Sequence, residues 1–375
     1  MSNSQALYIH IPFCDNICSY CDFYKMKAKT ALKERYIDFL SKEIDLYGIR
    51  LNTVKTVYIG GGTPLALSPA LLGKLLDKLA EFVDYKGLIE FTVEGNPNDV
   101  TDERLRLLQD YGVTRINLGI QSFNRRKLRI LNRNHDKKTV ATAMHRLLSC
   151  GFNNVGFDII YGIANDLPRK VLKDIKMALK TGITHLSAYS LIIEDKTVLK
   201  CHLDQGKYIP CQADREAAIY DKICRYLKKR GFIHYEISNF CKPNHQSYHN
   251  MIYWNNEQYF GLGAGAAGYY DNIRYVNVKN LDKYFAGIAA GKPVYQEKTV
   301  LNINDKMKEE IILGLRKTKG INLQTFKNKY NTDLFIAFPQ THEIIEKGLL
   351  TKKNNRLFIP EDKLFLSNEV LIYFI

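Results

Sequence analysis

Along the first 200 residues, short apolar runs alternate with amphipathic stretches. Runs rich in Val, Ile, Tyr and Phe predict strands over 6–11, 56–59, 89–93, 115–119, 155–160 and 185–189. Between them, the three-to-four-residue apolar spacing predicts helices near 32–47, 69–83, 102–111, 137–150 and 168–181. Six strand–helix units of this length predict a parallel sheet with crossover helices, an α/β fold. Chemically distinctive residues stand at each strand end. That favours a partial barrel over an open doubly wound sheet, because barrels gather function at the carboxyl ends of their strands. A further helix is expected over 212–230 and a further extended segment over 232–240, followed by an aromatic- and glycine-rich stretch over 248–270. Beyond about residue 298 the texture changes to short helices with apolar ends at 356–359 and 364–366. The expected division is a barrel core over 1–200, a barrel extension and connecting segment over 201–297, and a small, mainly helical domain over 298–375.

Composition narrows the class. The 375 residues include 24 Gly, 10 Pro and 8 Cys, with 46% hydrophobic and 25% charged residues, which excludes a disordered chain, a collagen-like chain and a disulfide scaffold. No apolar run approaches the roughly 20 residues a membrane-spanning helix needs. The opening Met1-Ser-Asn-Ser-Gln-Ala carries no basic segment followed by an apolar one, so no export signal is expected and a cytoplasmic location is. Peripheral membrane contact stays open. Lys and Arg outnumber Asp and Glu by 54 to 39, a net charge of +15. These cations are scattered among acids rather than gathered in an arm or stripe, so solubility rather than nucleic-acid binding is expected.

The cysteines change the picture most. Cys14, Cys18 and Cys21 stand on one short segment, His10-Ile-Pro-Phe-Cys14-Asp-Asn-Ile-Cys18-Ser-Tyr-Cys21-Asp-Phe-Tyr24, whereas Cys150, Cys201, Cys211, Cys224 and Cys241 are dispersed and read as buried small residues or surface thiols. A structural zinc site needs four ligands, and no fourth His or Cys stands on a matching turn. A four-iron cluster held by three thiolates leaves one iron open to a small molecule, so three rather than four is chemically meaningful.

The strand ends add polar groups. The second predicted strand runs into Gly60-Gly61-Gly62-Thr63-Pro64, where glycines let a ligand approach the backbone. The third ends in Val93-Glu94-Gly95-Asn96-Pro97 and the fourth in Gly119-Ile120-Gln121-Ser122-Phe123. Asp158 sits among apolar neighbours on the fifth, where a buried carboxylate needs partners. A basic segment carries Arg125, Arg126, Lys127, Arg129, Arg133, Lys137 and Lys138; it reads as a solvated helix face or as an attractor of carboxylates.

Together, CxxxCxxC after a first strand, Gly60-Gly61-Gly62-Thr63-Pro64, Glu94, Leu118-Gly-Ile-Gln121-Ser-Phe123, Arg133-Asn-His135, Asp158-Ile-Ile-Tyr161-Gly162, Tyr235-Glu236-Ile-Ser-Asn-Phe240 and Leu366-Ser367-Asn368-Glu369 resemble the radical S-adenosylmethionine (SAM) superfamily. Within it they resemble the oxygen-independent coproporphyrinogen III oxidase-like family, over nearly the whole chain. The resemblance implies a partial (β/α)6 radical SAM barrel. It implies a [4Fe–4S] cluster on Cys14, Cys18 and Cys21, whose open iron takes the amino and carboxylate groups of SAM, and SAM lined by Tyr8, Tyr20, Gly61, Gly62, Thr63, Glu94, Gln121, Arg133 and Asp158.

That family holds both oxidases and HemW-like haem chaperones. The oxidase pattern carries a fourth cysteine two positions after the third, where this chain has Phe23, and a longer extension before the cluster. The segment His249-Asn250-Met251-Ile252-Tyr253-Trp254 matches the HNxxYW motif of the chaperone branch. Read by itself, His249 is a hydrogen-bonded structural histidine. The resemblance implies instead haem as a third cofactor, with His249 as iron ligand, His245 ranked below it, and Tyr253 and Trp254 packed on the macrocycle. It implies transfer of haem to an acceptor protein. The alternative is radical oxidative decarboxylation of coproporphyrinogen III. Three departures stand out: Gly265-Ala266-Ala267-Gly268 replaces Gly-Ala-His-Ser, Gly162-Ile-Ala-Asn165 replaces a Gly-Leu-Pro-Gly-type turn, and Asn132 stands where a glycine usually precedes Arg133.

Overall fold

A computed structural model describes residues 5–375; the first four residues, on which part of the export-signal expectation falls, lie outside it. Six strands, β1 (Ala6–Ile11), β2 (Thr56–Gly61), β3 (Glu90–Gly95), β4 (Arg115–Gln121), β5 (Val155–Tyr161) and β6 (His185–Ser190), lie side by side in sequence order and all parallel. Helices α1 (Thr30–Tyr47), α2 (Pro69–Ala80), α3 (Asp102–Asp110), α4 (Arg125–Ile130), α5 (Lys137–Ser149) and α6 (Pro168–Lys180) make the crossovers. Sequence dictates their ends. Ser68 accepts from the Leu71 amide at 3.3 Å just before Pro69, and Leu71, Leu72, Leu75, Leu76 and Leu79 then form the buried stripe of α2. Asp136 and Thr139 make a reciprocal cap on α5.

Strand register sorts residues onto two faces. Leu7, Ile9, Val57, Ile59, Phe91, Val93, Ile116, Leu118, Phe157, Ile159, Leu186 and Ala188 are buried beneath the helices. The opposite face is polar: Tyr8 pairs with Tyr58, Tyr58 with Thr92, Glu94 with Asn117, and Asp158 with both Gly119 and Ser187. A period-two pattern with its polar residues inside the curved sheet makes a barrel whose interior is a site rather than a packed core.

The chain then continues as α7 (Val198–Asp204), α8 (Ala213–Lys228), β7 (Ile233–Glu236), β8 (Asn239–Cys241), α9 (Tyr248–Trp254), β9 (Tyr259–Leu262), β10 (Ala267–Tyr270), β11 (Ile273–Asn277), α10 (Leu281–Ala289) and β12 (Tyr295–Val300). The extended segment expected over 232–240 is thus a hairpin, β7–β8, antiparallel to β6; β9 adds parallel to β1 and β10–β12 extend that edge. The resulting twelve-stranded sheet ends at β12 and at β7, so the barrel is partial. The C-terminal region opens with α11 (Ile303–Gly314) and is mainly helical, but 356–359 is not merely an apolar end. It holds the central strand of a small sheet, β15 (Arg356–Phe358), between β13 (Ile321–Asn322) and β14 (Thr351–Lys353). This region docks on the β7–β8 edge, where Ile237 N donates to Arg316 O at 3.0 Å and Thr318 Oγ1 to His234 O at 2.8 Å. Among the described residues, no helix is long and apolar enough to cross a membrane.

Candidate functional site

The cysteine loop leaves β1 and folds back on itself: Cys14 N donates to Met26 O at 3.0 Å and Met26 N to Pro12 O at 2.7 Å. Its far side is pinned to the segment after α4. Ser19 Oγ donates to Ile130 O at 2.6 Å, Asn132 Nδ2 to Ile17 O at 2.7 Å, and Asn16 Nδ2 to Asn132 O at 2.5 Å. Asn132 has φ 54° and Asn165 φ 59°. Both departures from a family glycine are therefore asparagines in the left-handed region, which Asn tolerates better than any branched residue. Cys14 is buried, and Cys18 and Cys21 are half-buried. Burial lifts the Cys14 thiol to about 11, the Thr63 hydroxyl beside it opposes that, and the neighbouring Cys21 and Cys18 thiols reinforce it. Burial lifts Cys21 as well. Among the described residues no three His, Cys, Asp or Glu side chains close on one point as a single metal ion requires. Phe23, where the oxidase pattern has its fourth cysteine, is 72% exposed.

At the adjoining strand ends, Gly61 has φ 112° and its amide donates to Glu94 Oε2 at 3.2 Å, while Tyr58 donates to Glu94 Oε1 at 2.6 Å. A Cβ on Gly62 would lie 2.7 Å from Phe13 O and 3.0 Å from Cys14 Sγ, so only glycine lets this loop lie against the cysteine segment. Burial lifts Glu94 to about 7, offset by the Tyr58 hydroxyl and reinforced by Asp158. Thr63 Oγ1 donates to Cys14 Sγ at 3.5 Å and accepts from Asn96 Nδ2 at 3.1 Å; Arg133 in turn donates to Asn96 Oδ1 and, at 2.9 Å, to Tyr20. A polar chain thus runs from Arg133 to a cysteine sulfur. Asn117 donates to Asp158 Oδ2 at 2.9 Å, and Tyr8 shares a hydrogen bond with His10 at 3.0 Å. The Gln121 Oε1 and Arg133 Nε atoms are buried without a partner, and Gln121 sits at φ 61° in a bulge of β4. Buried polar atoms left open beside a strained strand end are what a ligand completes. Cysteine triad, glycine cradle and open polar atoms together fit a cluster with SAM beside it.

Comparison with known proteins decides the family. A model described as the radical SAM superfamily matches residues 8–178, and one described as the HemN C-terminal domain matches 301–362. A heme chaperone HemW from Lactococcus lactis subsp. lactis is 37% identical, covering 100% of this chain and 98% of its own. One from Bacillus subtilis is 36% identical, covering 98% of each. The chain belongs to the HemW family of the radical SAM superfamily. Its fold also matches coproporphyrinogen III oxidase (HemN) from Escherichia coli, with a TM-score of 0.86 over 100% of this chain and 90% of that one, at 18% identity.

The HemW-type HNxxYW segment does not lie at this rim. It forms α9, and His249 is fully buried: Nδ1 shares a hydrogen bond with Thr56 Oγ1 at 2.8 Å and Nε2 with Tyr253 OH at 2.7 Å. Burial pushes the imidazole down to about 3, so it is neutral. In this packing both ring nitrogens are engaged by the fold, so ligation of a haem iron by His249 would require Thr56 or Tyr253 to give way. Trp254 is half-buried with Nε1 unpartnered and Arg316 5.7 Å over its ring. His245 Nδ1 faces Asn154 Oδ1 at 3.4 Å. Lys127 is likewise not part of a solvated face. It is buried, 2.8 Å from Asp166 and 3.3 Å from Asp174. Of the site side chains, Tyr58, Asn96 and Asn117 escaped the sequence reading. Period-two alternation was the available signal, since Tyr58 and Gly60 must share a face, as must Asn117 and Gly119.

Proposed function

We propose that this protein is a haem chaperone that binds haem and passes it to an acceptor protein, carrying a [4Fe–4S] cluster and SAM. The observation that carries the reading is similarity over the full chain to heme chaperone HemW proteins, at 37% and 36% identity. In the proposal Cys14, Cys18 and Cys21 hold the cluster. Tyr8, Tyr20, Gly61, Gly62, Thr63, Glu94, Gln121, Arg133 and Asp158 surround SAM. The cluster, when bound, supplies an electron and an iron open to the amino and carboxylate groups of SAM. The Gly61 amide is held by Glu94, and the Gly62 and Thr63 amides donate to Ile11 O and Phe13 O. This loop would therefore present its glycine surface to the bound group, with Asn96 holding Thr63 and Arg133 holding Asn96 and Tyr20. A cytoplasmic location and a three-part division at 200 and 297 belong to the same proposal.

The test is a pair of anaerobic assays on reconstituted, reduced protein. Titration with haem, followed at the Soret band, is expected to saturate at one equivalent, while incubation with SAM and coproporphyrinogen III is expected to yield no protoporphyrinogen by mass spectrometry. Catalytic protoporphyrinogen formation would make the protein an oxidase and overturn the chaperone reading. Replacing Cys14, Cys18 or Cys21 singly by Ala is expected to abolish the iron–sulfur absorbance; Cys150→Ala and Cys201→Ala are expected to keep iron and sulfide at wild-type content.

A further inference from the structure

We infer that the His249–Trp254 segment is the floor of the SAM site and that His249 is a positioning residue for it, an inference resting on the proposed SAM roles of Gly61 and Glu94. The contacts run up the inside of the barrel two residues at a time. At the amino end of β3, Glu90 fixes the start of α9: Oε1 accepts from Ser247 Oγ at 2.9 Å and Oε2 from Tyr248 N at 2.8 Å. This puts the His249 ring against Thr56, the first residue of β2, and 5.0 Å from the ring of Tyr58, the next inward residue of that strand. Tyr58 reaches Glu94 at 2.6 Å, and Glu94 holds the Gly61 amide at 3.2 Å. There is little slack at the top of this column, because a Cβ on Gly60 would lie 2.9 Å from both Glu94 Oε2 and Tyr58 Cε1.

The other side of the ring is equally fixed. Tyr253 bonds Nε2, meets the imidazole edge-on at 5.0 Å, and packs on Tyr259 of β9 at 4.6 Å. The far end of α9 is tied to the C-terminal region, where Lys317 Nζ donates to Asn255 Oδ1 at 2.7 Å and Arg316 covers Trp254. A neutral, fully buried imidazole with both nitrogens engaged is a strut. To take an iron it would have to give up Thr56 or Tyr253. Here it sets where Tyr58 stands, and Tyr58 sets Glu94.

The test measures SAM affinity and haem affinity separately. His249→Phe keeps a ring against Tyr58 but loses both hydrogen bonds, His249→Gln keeps a polar end, and Tyr58→Phe removes the donor to Glu94. Equilibrium dialysis of radiolabelled SAM against anaerobic, cluster-loaded protein is expected to give a Kd raised about tenfold by His249→Phe, less by His249→Gln, and about tenfold by Tyr58→Phe. The double variant His249→Phe/Tyr58→Phe is expected to be no weaker than the weaker single one, because both act through Glu94. Haem affinity from Soret titration is expected to stay within about twofold of wild type. Unchanged SAM affinity in both single variants, or additive losses, overturns the relay. Loss of the haem spectrum in His249→Phe with SAM affinity intact overturns it in favour of iron ligation. If His249→Phe fails to fold, Tyr58→Phe and His249→Gln decide. A wild-type protein that binds no SAM sinks the SAM assignment itself, which is a separate failure.

Discussion

Single residues decide whether the cysteine loop closes. Gly62 lies so close to Phe13 and Cys14 that one methyl group has nowhere to go, since the obstructing atoms are mostly backbone. Gly62→Ala is therefore expected to lower iron content after reconstitution to well below half of wild type while the far-UV circular dichroism spectrum stays unchanged; full iron loading would show that the loop can shift. Asn132 shows the reverse, a position where a side chain replaces a family glycine at little cost. Its left-handed backbone is tolerable for Asn, and its amide gains a hydrogen bond to the cysteine loop. Asn132→Val, β-branched at positive φ, is expected to lose about 1–3 kcal/mol in urea unfolding, whereas Asn132→Gly is expected to lose less.

Between elements, buried ions do what hydrophobic packing alone leaves undone. Lys127 on α4 bridges Asp166, in the loop after β5, and Asp174 on α6, and Asp174 also accepts from Ser122 Oγ at 2.6 Å and Phe123 N at 3.1 Å. The three ionic side chains have almost no water contact. Removing the cation strands two carboxylates, so Lys127→Met is expected to destabilise the fold by about 3–5 kcal/mol in chemical denaturation. A loss below about 1 kcal/mol would mean that water reaches the aspartates. The triad also holds the end of β4 where Gln121 adopts its strained conformation, so SAM affinity should fall along with stability.

For the whole molecule, Glu43 joins distant parts of the chain. Fully buried on α1, it accepts from Gly263 N at 2.7 Å, from Tyr284 OH at 2.7 Å and from Asn277 Nδ2 at 3.2 Å, linking the barrel's first helix to the added strands and to α10. Burial raises its carboxyl from the ordinary 4.5 to about 7, with the three donors partly opposing. The folded state therefore holds the proton more tightly than the unfolded chain. The resulting stability is fully present below 4.5 and is lost as pH rises through 7. Glu94 and Glu236 are also raised to about 7 by burial and act in the same direction. The buried histidines His10, His135 and His249, which burial lowers to about 4, 4 and 3, act in the opposite direction. Glu43 is therefore read from its own share of the urea-unfolding profile of the cofactor-free protein, a fall on the order of 3 kcal/mol between about pH 5 and about pH 8. Glu43→Gln should remove that share, gaining stability relative to wild type as pH rises from about 5 to about 8; a constant difference between the two proteins would place the titration elsewhere.

Much of this was written in the chain. Hydrophobic period fixed the six parallel strands to within a few residues, because each must bury one face beneath a crossover helix. Local spacing put three cysteines on one loop and a glycine run at the next strand end. What sequence could not give was everything that depends on which side chains meet across the barrel. Lys127 looked solvated until two aspartates, far along the chain, closed on it. His249 offered an imidazole on paper, and only the approach of Thr56, distant in sequence, and of Tyr253, one helical turn away, occupies both of its nitrogens. Periodicity reports which face a residue takes, not who stands opposite, and that partner is set by sheet register and curvature together.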